Sequence, residues 1–477
     1  MTIENIDVNK AVGQAKKLLG SEKNLSPAFK SVFELLLVII SLMFERLTKS
    51  SSNSSKPPST DPNRKKNKDK NKENQKKPGG QNGHEGANLS LVENPDEIVN
   101  IKIKRNRLPK DATFKDVGFE ARQVINIKFS KIVTEYRAQI LEDETGKQYT
   151  ADFPPFLAQS IQYGASVKSH SIYMSQFQLV PYRRIQDYFT NELKLSISAG
   201  SLFNFNKDAY NRLAEFEEIS KRKLIASKRA NADETGVNIG GKRYWLHTVC
   251  NDLWTHFFPH EKRGREAMDA IGIIPKFKGV LCHDHYKPYY TYTACLHSLC
   301  NAHHLRELQA VVDNNGHAWA QNCQDFLTGI NKAVTEAGGA VDKETANKYR
   351  ERYRSILLAG DEESPEPAPN PTLKKRGRMK KEKHRNLLER LRSYEDDVLR
   401  FMETTYVPFT NNQGENDLRM TKVQQKISGC FRSWEGAKIF CRIRGYLLTC
   451  QKHGVTATEA LDILFSGKLP DFCYQSA

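Results

Sequence analysis

Apolar and polar positions change period several times along this chain, and each change marks an element. Over 229–249, Ala230 and Ala232 alternate with polar neighbours, Gly240-Gly241 supplies a reversal, and Tyr244, Leu246, Thr248 and Val249 favour a returning strand. Asn251-Asp252 then turns the chain into 254–258, so three short antiparallel strands are expected in succession. A helix is expected over 264–271 and a buried strand over 277–282, which ends at Asp284.

Upstream, Ser26-Pro27 opens a helix with Val32, Leu36, Ile39 and Met43 at three- and four-residue steps, suited equally to self-association or to ordinary packing. β-Branched alternation over 99–103 and 124–129 points to a small β-containing domain at 89–160. Helical spacing covers 167–177 and 181–193, breaks at 194–197, and resumes behind the capping Ser198 through Leu213. Two helices around a tight break fit a helix-turn-helix region at 161–225, with Arg183, Arg184 and Lys207 as candidate DNA contacts and a reading helix starting at Ala199. A plain helical hairpin fits the same spacing.

Downstream, the first part of a sheet-bearing core at 226–311 is followed by an expected helical insertion at 312–404 with a disordered loop at 360–384. A further helix begins near Asn411-Asn412 and carries Glu415, Arg419, Lys422 and Lys426 at four-, three- and four-residue steps. That face suits phosphate contact or a solvated intrahelical ion pair. Segment 405–477 closes the chain with helices over 433–454 and from Thr458.

Composition adds three constraints. The 477 residues allow about three domains, and a formal charge of +17 favours a polyanionic partner such as nucleic acid. An N-terminal helical segment at 1–48 gives way to a disordered basic linker at 49–88, which contains the run 64–68 and serves either phosphate attraction or simple spacing. All nine cysteines lie at or after Cys250 with no CxxC pair, which argues for reduced thiols in a cytoplasmic setting rather than a disulfide framework. The longest apolar run, 35–43, falls short of the roughly 20 residues of a bilayer span, and 1–10 lacks the pattern of a signal peptide, so no membrane role is expected.

Three strands, a helix and a strand, with Asp233 on the first and Asp284 ending the fourth, is the order of a ribonuclease-H-like α/β mixed sheet, in which first and fourth strands are neighbours. Taken alone, 233–236 also reads as a polar turn. Glu234 faces away from Asp233 by the two-residue period of a strand. Carboxylates on rigid elements suit two Mg²⁺ ions, or Mn²⁺, in phosphodiester transfer. His297, Cys300, His303 and His304 fall along one helical stripe, which cannot easily wrap an ion, so packing and capping are expected there and no zinc.

The chain resembles the transposases of insertion-sequence family sixty-six. The resemblance rests on ADETG at 232–236, HDHYKPYY at 283–290, HSLCNAHHLREL at 297–308 and, most specifically, VPFTNNQGENDLRMTKVQQKISGCFRS at 407–433. SSKPPSTDPNR at 54–64 and KKPGGQNGHEG at 76–86 match the family's N-terminal region. It implies a ribonuclease-H-like core with Asp233, Asp284 and Glu415 as the metal-binding DDE triad. It also implies cleavage of element ends, joining to target DNA, action as a homo-oligomer on double-stranded DNA, and accessory transposition proteins as partners. Arg419, Lys422 and Lys426 would steady phosphates. Many relatives carry a zinc-binding cysteine segment near the position of 141–147, and here that segment has no cysteine. Two other functions remain compatible with the residues: a helix-turn-helix repressor without catalysis, and a structure-selective resolvase.

Overall fold

The computed structural model describes residues 2–3, 6–22, 24–54, 61, 89–104, 108–109, 111–366 and 381–475. In chain order, β1 (Thr2–Ile3) and β2 (Ile6–Asp7) precede helices α1 (Val8–Ser21) and α2 (Pro27–Thr48). A small hairpin, β3 (Ile140–Glu142) and β4 (Gln148–Thr150), leads into α3 (Ala165–Ile172), α4 (Tyr182–Leu193), α5 (Ala199–Arg212) and α6 (Ala214–Ile225). The central sheet uses β5 (Arg229–Ile239), β6 (Lys242–Cys250), β7 (Thr255–His260), β8 (Val280–His283) and β9 (Leu296–Leu299), with α7 (Arg265–Ile271) between β7 and β8. Then come α8 (Asn301–Asn315), α9 (Ala318–Glu336), α10 (Lys343–Glu363), α11 (Lys383–Ser393) and α12 (Glu395–Leu399). The last helices are α13 (Asn412–Ser428), α14 (Trp434–Lys452) and α15 (Ala457–Phe465).

The five-stranded sheet runs β7-β6-β5-β8-β9. β5, β6 and β7 pair antiparallel through the Gly240-Gly241 turn, whereas β8 joins β5 and β9 in parallel. Two-residue periodicity divides the central strands between two cores. Ala230, Ala232 and Leu281 face a layer built from α3–α7, α14 and α15, while Val280 and Cys282 face the helices between β9 and α13. Both faces are therefore covered, as parallel strands require.

Gly279 explains how β8 starts so close to β5. A Cβ at this position would lie 2.4 Å from the Lys228 carbonyl oxygen and 2.7 Å from that of Ser227. The bare backbone lets Val280 N donate to Lys228 O at 2.9 Å and Gly279 O accept from Leu296 N at 3.0 Å, which starts both parallel ladders together.

Several elements follow their local signals. Ser26 and Ser198 cap their helices by accepting from Phe29 N and Ser201 N. Lys194, at φ 49°, ends α4 in the left-handed conformation at the expected break. The region 312–404 is helical where described; α10 runs to Glu363, through the first four residues of the segment expected as a loop, and α11 starts at Lys383 within it. The basic run at 64–68 lies outside the described residues, as does most of the segment 360–384 expected as a loop.

Two expectations change. The alternating stretches 98–103 and 124–129 form no strand, because no partner ladder or buried face meets them: Ile101 is 93% and Val124 84% exposed. Of the small β-containing domain, the described residues contain the β3–β4 hairpin alone. Secondly, the uninterrupted apolar run understates α2, which continues through Lys30 and Glu34 to a total of 22 residues. By length and composition it is the one described helix able to cross a membrane. Leu37 and Phe44 are buried, whereas Val32, Leu36, Ile39 and Met43, the expected packing stripe, are exposed.

Candidate active site

β5 pairs with β8 in the register Arg229↔Val280 through Asn231↔Cys282. Two residues beyond the last pair, the same register sets Asp233 level with Asp284. Asp233 Oδ1 accepts from Glu234 N at 2.8 Å, and Asp284 Oδ1 accepts from Tyr286 N at 2.9 Å, a local bond that turns the chain immediately after β8.

Helix α13 brings the third carboxylate, and Asn411 holds that helix in place. Its side chain donates to Ala232 O at 2.9 Å and accepts from Asn231 Nδ2 at 2.7 Å, and its backbone N–H donates to Cys300 Sγ at 3.1 Å. Asn411 therefore ties α13 to β5 and to the β9–α8 junction, and its side chain makes no capping bond to its own helix. At the next turn Gly414 passes so near β5 that a Cβ there would stand 3.4 Å from Asp233 Cβ. Glu415 follows at once, with Oε1 3.9 Å from His303 Nδ1 and 4.0 Å from Arg306 Nη2.

A buried network keeps α13 seated. Asp417 Oδ2 accepts from Thr255 Oγ1 and Lys452 Nζ, each at 2.8 Å, which links the helix to β7 and α14.

Burial raises the Asp233 carboxyl to about 8, and the negative charges of Glu234, Asp284 and Glu415 add to that shift against the lowering effect of the Glu234 N–H. This is the electrostatics of a buried carboxylate among other acids, where desolvation and like charge both disfavour ionisation. Glu234 occupies the other side of the strand. There it accepts from Tyr289 Oη at 2.6 Å and Arg263 Nε at 2.8 Å, with a side chain only 1% exposed. Arg263 in turn stacks on Tyr286, so Glu234 braces the segment that follows Asp284.

The structure thus brings Asp233, Asp284 and Glu415 close enough for their charges to act on one another, while Glu234, whose charge also reaches Asp233, directs its carboxylate to Tyr289 and Arg263. Arg419 and Lys426 are exposed on α13, while Lys422 donates to Gly236 O at 2.9 Å. Arg183, Arg184 and Lys207 belong to the helical layer of α4 and α5: Arg183 lies 3.4 Å from Asp187, Arg184 is exposed, and Lys207 pairs with Glu435 at 2.8 Å. The α5 helix buries Leu202, Phe205, Asn206 and Ala209 against its neighbours. The expected stripe of His297, Cys300 and His303 is not a single helical face, since His297 belongs to β9, Cys300 precedes α8 and His303 lies within it. His297 turns to His283, at 2.9 Å between ring nitrogens.

Three residues escaped the reading of the sequence as members of the site: Cys300, His303 and Arg306. One donor atom each from Cys300, His303 and Glu415 lies within 4.8 Å of the others. Their signal was present in HSLCNAHHLREL, but the residue that completes the group is on another helix, more than a hundred positions away.

A mixed five-stranded sheet with three carboxylates beside two adjacent parallel strands makes this an α/β protein with an acidic cluster just past the parallel pairing of its central strands. The family model described as Transposase IS66 family matches residues 160–439, more than half of the chain, and the chain belongs to that family. It is by that membership a DNA-processing protein. Residues 4–90 match a family of unknown function, DUF6444. No curated protein matches the chain.

Proposed function

We propose that the chain is a DDE transposase in which Asp233, Asp284 and Glu415 hold divalent magnesium, as two ions, on a ribonuclease-H-like core. The observation that carries this reading is the shared register of Asp233 and Asp284, together with the approach of Gly414 to Asp233 that delivers Glu415 beside them. The donor set fits such a cation: the oxygens are hard, they come from rigid elements, and Glu415 Oε1 is buried with no hydrogen-bond partner among the described residues. Bound there, magnesium supplies Lewis-acid activation of an attacking oxygen and stabilisation of the leaving one.

The chain's own residues do the positioning. β5 and β8 fix the two aspartates, and Asn411 and Asp417 fix the helix that bears Glu415. Arg306 and the exposed Arg419 and Lys426 offer cations to phosphates near that helix, and Lys422 braces the edge of β5. The exposed Arg183 and Arg184 on α4, with the α4–α5 helix pair, are the proposed contact to element-end DNA, and Lys207 would join them on release from Glu435. Cleavage of the element ends and attack of the freed 3′-hydroxyls on target DNA is the reaction this set of groups suits.

The test is cleavage of labelled element-end DNA in magnesium. Asp284→Ala is expected to lower the rate by more than about a hundredfold, since losing even an outer partner of a metal ligand costs ten- to a hundredfold. Cleavage at the unaltered rate would overturn the assignment.

A further inference from the structure

We propose that Cys300, His303 and Glu415 form a second cation site, selective for a thiophilic ion of the zinc class, which restrains the nuclease by occupying Glu415. The proposal rests on the reading of Glu415 as a catalytic carboxylate. Two independent observations carry it. The first is convergence: a thiol from the end of β9, an imidazole from α8 and a carboxylate from α13 place one donor atom each within 4.8 Å of the others. The second is that two of those donors make no hydrogen bond among the described residues: His303 Nδ1 and Glu415 Oε1 are both buried and stand 3.9 Å apart, beyond hydrogen-bond reach, with Arg306 at 4.0 Å from the carboxylate. Buried polar atoms without partners are uncommon in folded proteins, and a bound ion is one of the few things that accounts for them.

The chemistry of the donors selects the ion. Magnesium takes oxygen ligands and declines thiolate, whereas sulfur, imidazole nitrogen and one carboxylate oxygen match a zinc-class ion with three protein ligands and one open position. Ligand bonds of about 2.0–2.3 Å put neighbouring tetrahedral donors roughly 3.5 Å apart, so the group needs closure by about an ångström. Glu415, partly exposed, has the freedom to supply it. Cys300 is already oriented, because Asn411 N–H, immediately before α13, donates to its sulfur. A carboxylate drawn toward Cys300 and His303 is withdrawn from Asp233 and Asp284, so zinc-class and magnesium occupancy oppose each other.

The experiment uses the full chain, stripped by a chelator and titrated with Co²⁺ as a spectroscopic stand-in for zinc. The unaltered protein should show a thiolate-to-cobalt absorption band that saturates at about one ion per chain. The band should disappear in Cys300→Ser, weaken at least tenfold in affinity in His303→Gln, and persist in Asp233→Asn, with circular dichroism confirming that each variant is folded. In parallel, stoichiometric Zn²⁺ should suppress magnesium-dependent cleavage, and Cys300→Ser should require at least tenfold more zinc. No thiolate band, or a band that survives Cys300→Ser, overturns the site. If the band is absent while Asp284→Ala abolishes cleavage, the cation site falls and the triad stands; if it is present while Asp284→Ala still cleaves, the site stands and the triad falls.

Discussion

His256 on β7 is buried, and its Nε2 has no hydrogen-bond partner among the described residues. Burial, with the positive charges of Lys221 and Arg442, pushes its pKa down from 6.5 to about 3. Above pH 6.5 the ring is neutral in both folded and unfolded chains, so it contributes no pH dependence there. As pH falls from about 6.5 toward 3, the unfolded chain takes up the proton first and stability is lost, by about 2 kcal/mol at pH 5. Urea unfolding at pH 7.5 and pH 5 should show that loss, and His256→Leu should reduce the difference by a similar amount. An unchanged difference would remove His256 as its source. This buried ring was not singled out from the sequence, because burial of one histidine depends on packing against α6 and α14 that no local pattern reports. The neighbouring of β5 and β8, which brings Asp233 level with Asp284, was legible through the order of strands, whereas the approach of the Glu415 helix to them rested on the family motif alone. Cys300 and His303 were visible as residues but not as a group, since their third donor arrives from α13.

At the scale of elements, β8 depends on a single absent side chain. Alanine at Gly279 would set a Cβ against two carbonyl oxygens of the chain entering β5, backbone that cannot rotate aside. Gly279→Ala should cost about 3 kcal/mol or more in thermal or urea unfolding, toward the top of the range for overpacked sites. Because Asp284 directly follows the same strand, the proposed cleavage should fall with it even at temperatures where the variant is folded. Normal stability would show that β8 can be displaced along β5 without loss. The antiparallel strands were legible because alternation and a glycine turn are local, and so were the α4 and α5 boundaries at Lys194 and Ser198. The stretches 98–103 and 124–129 had the same alternation and no partner. Strand-forming side chains are a capacity, which a second strand and a covered face must realise. Asn411 misled in another way: its type suits a helix cap, but its side chain is taken by β5.

For the whole molecule, the net charge of +17 sets how it meets DNA. If six or more phosphates are neutralised, affinity for a duplex should fall by at least about 10³ between 50 and 200 mM salt. Arg419→Ala and Lys426→Ala should each reduce the slope of log affinity against log salt by about one, since each would contact a phosphate. A flat salt response measured by fluorescence anisotropy would contradict a phosphate-dominated interface. The sheet order was within reach of the sequence, but the enclosing layers were not. α3 packs against α15, and α14 lies along β7, pairings between segments far apart in the chain.

The long helical detour between β9 and α13 gives the chain a direction in time. A ribosome delivers both aspartates well before it delivers Glu415, and α14, whose Lys452 anchors Asp417 beneath that helix, comes later still. Since the proposed chemistry needs all three carboxylates, a nascent chain would have no cleavage activity until α13 has been made. A message truncated anywhere within the detour would yield a protein that keeps the α4–α5 pair and lacks the scissors. If the proposed contact of α4–α5 with DNA holds, such a fragment would compete with the full chain for element ends.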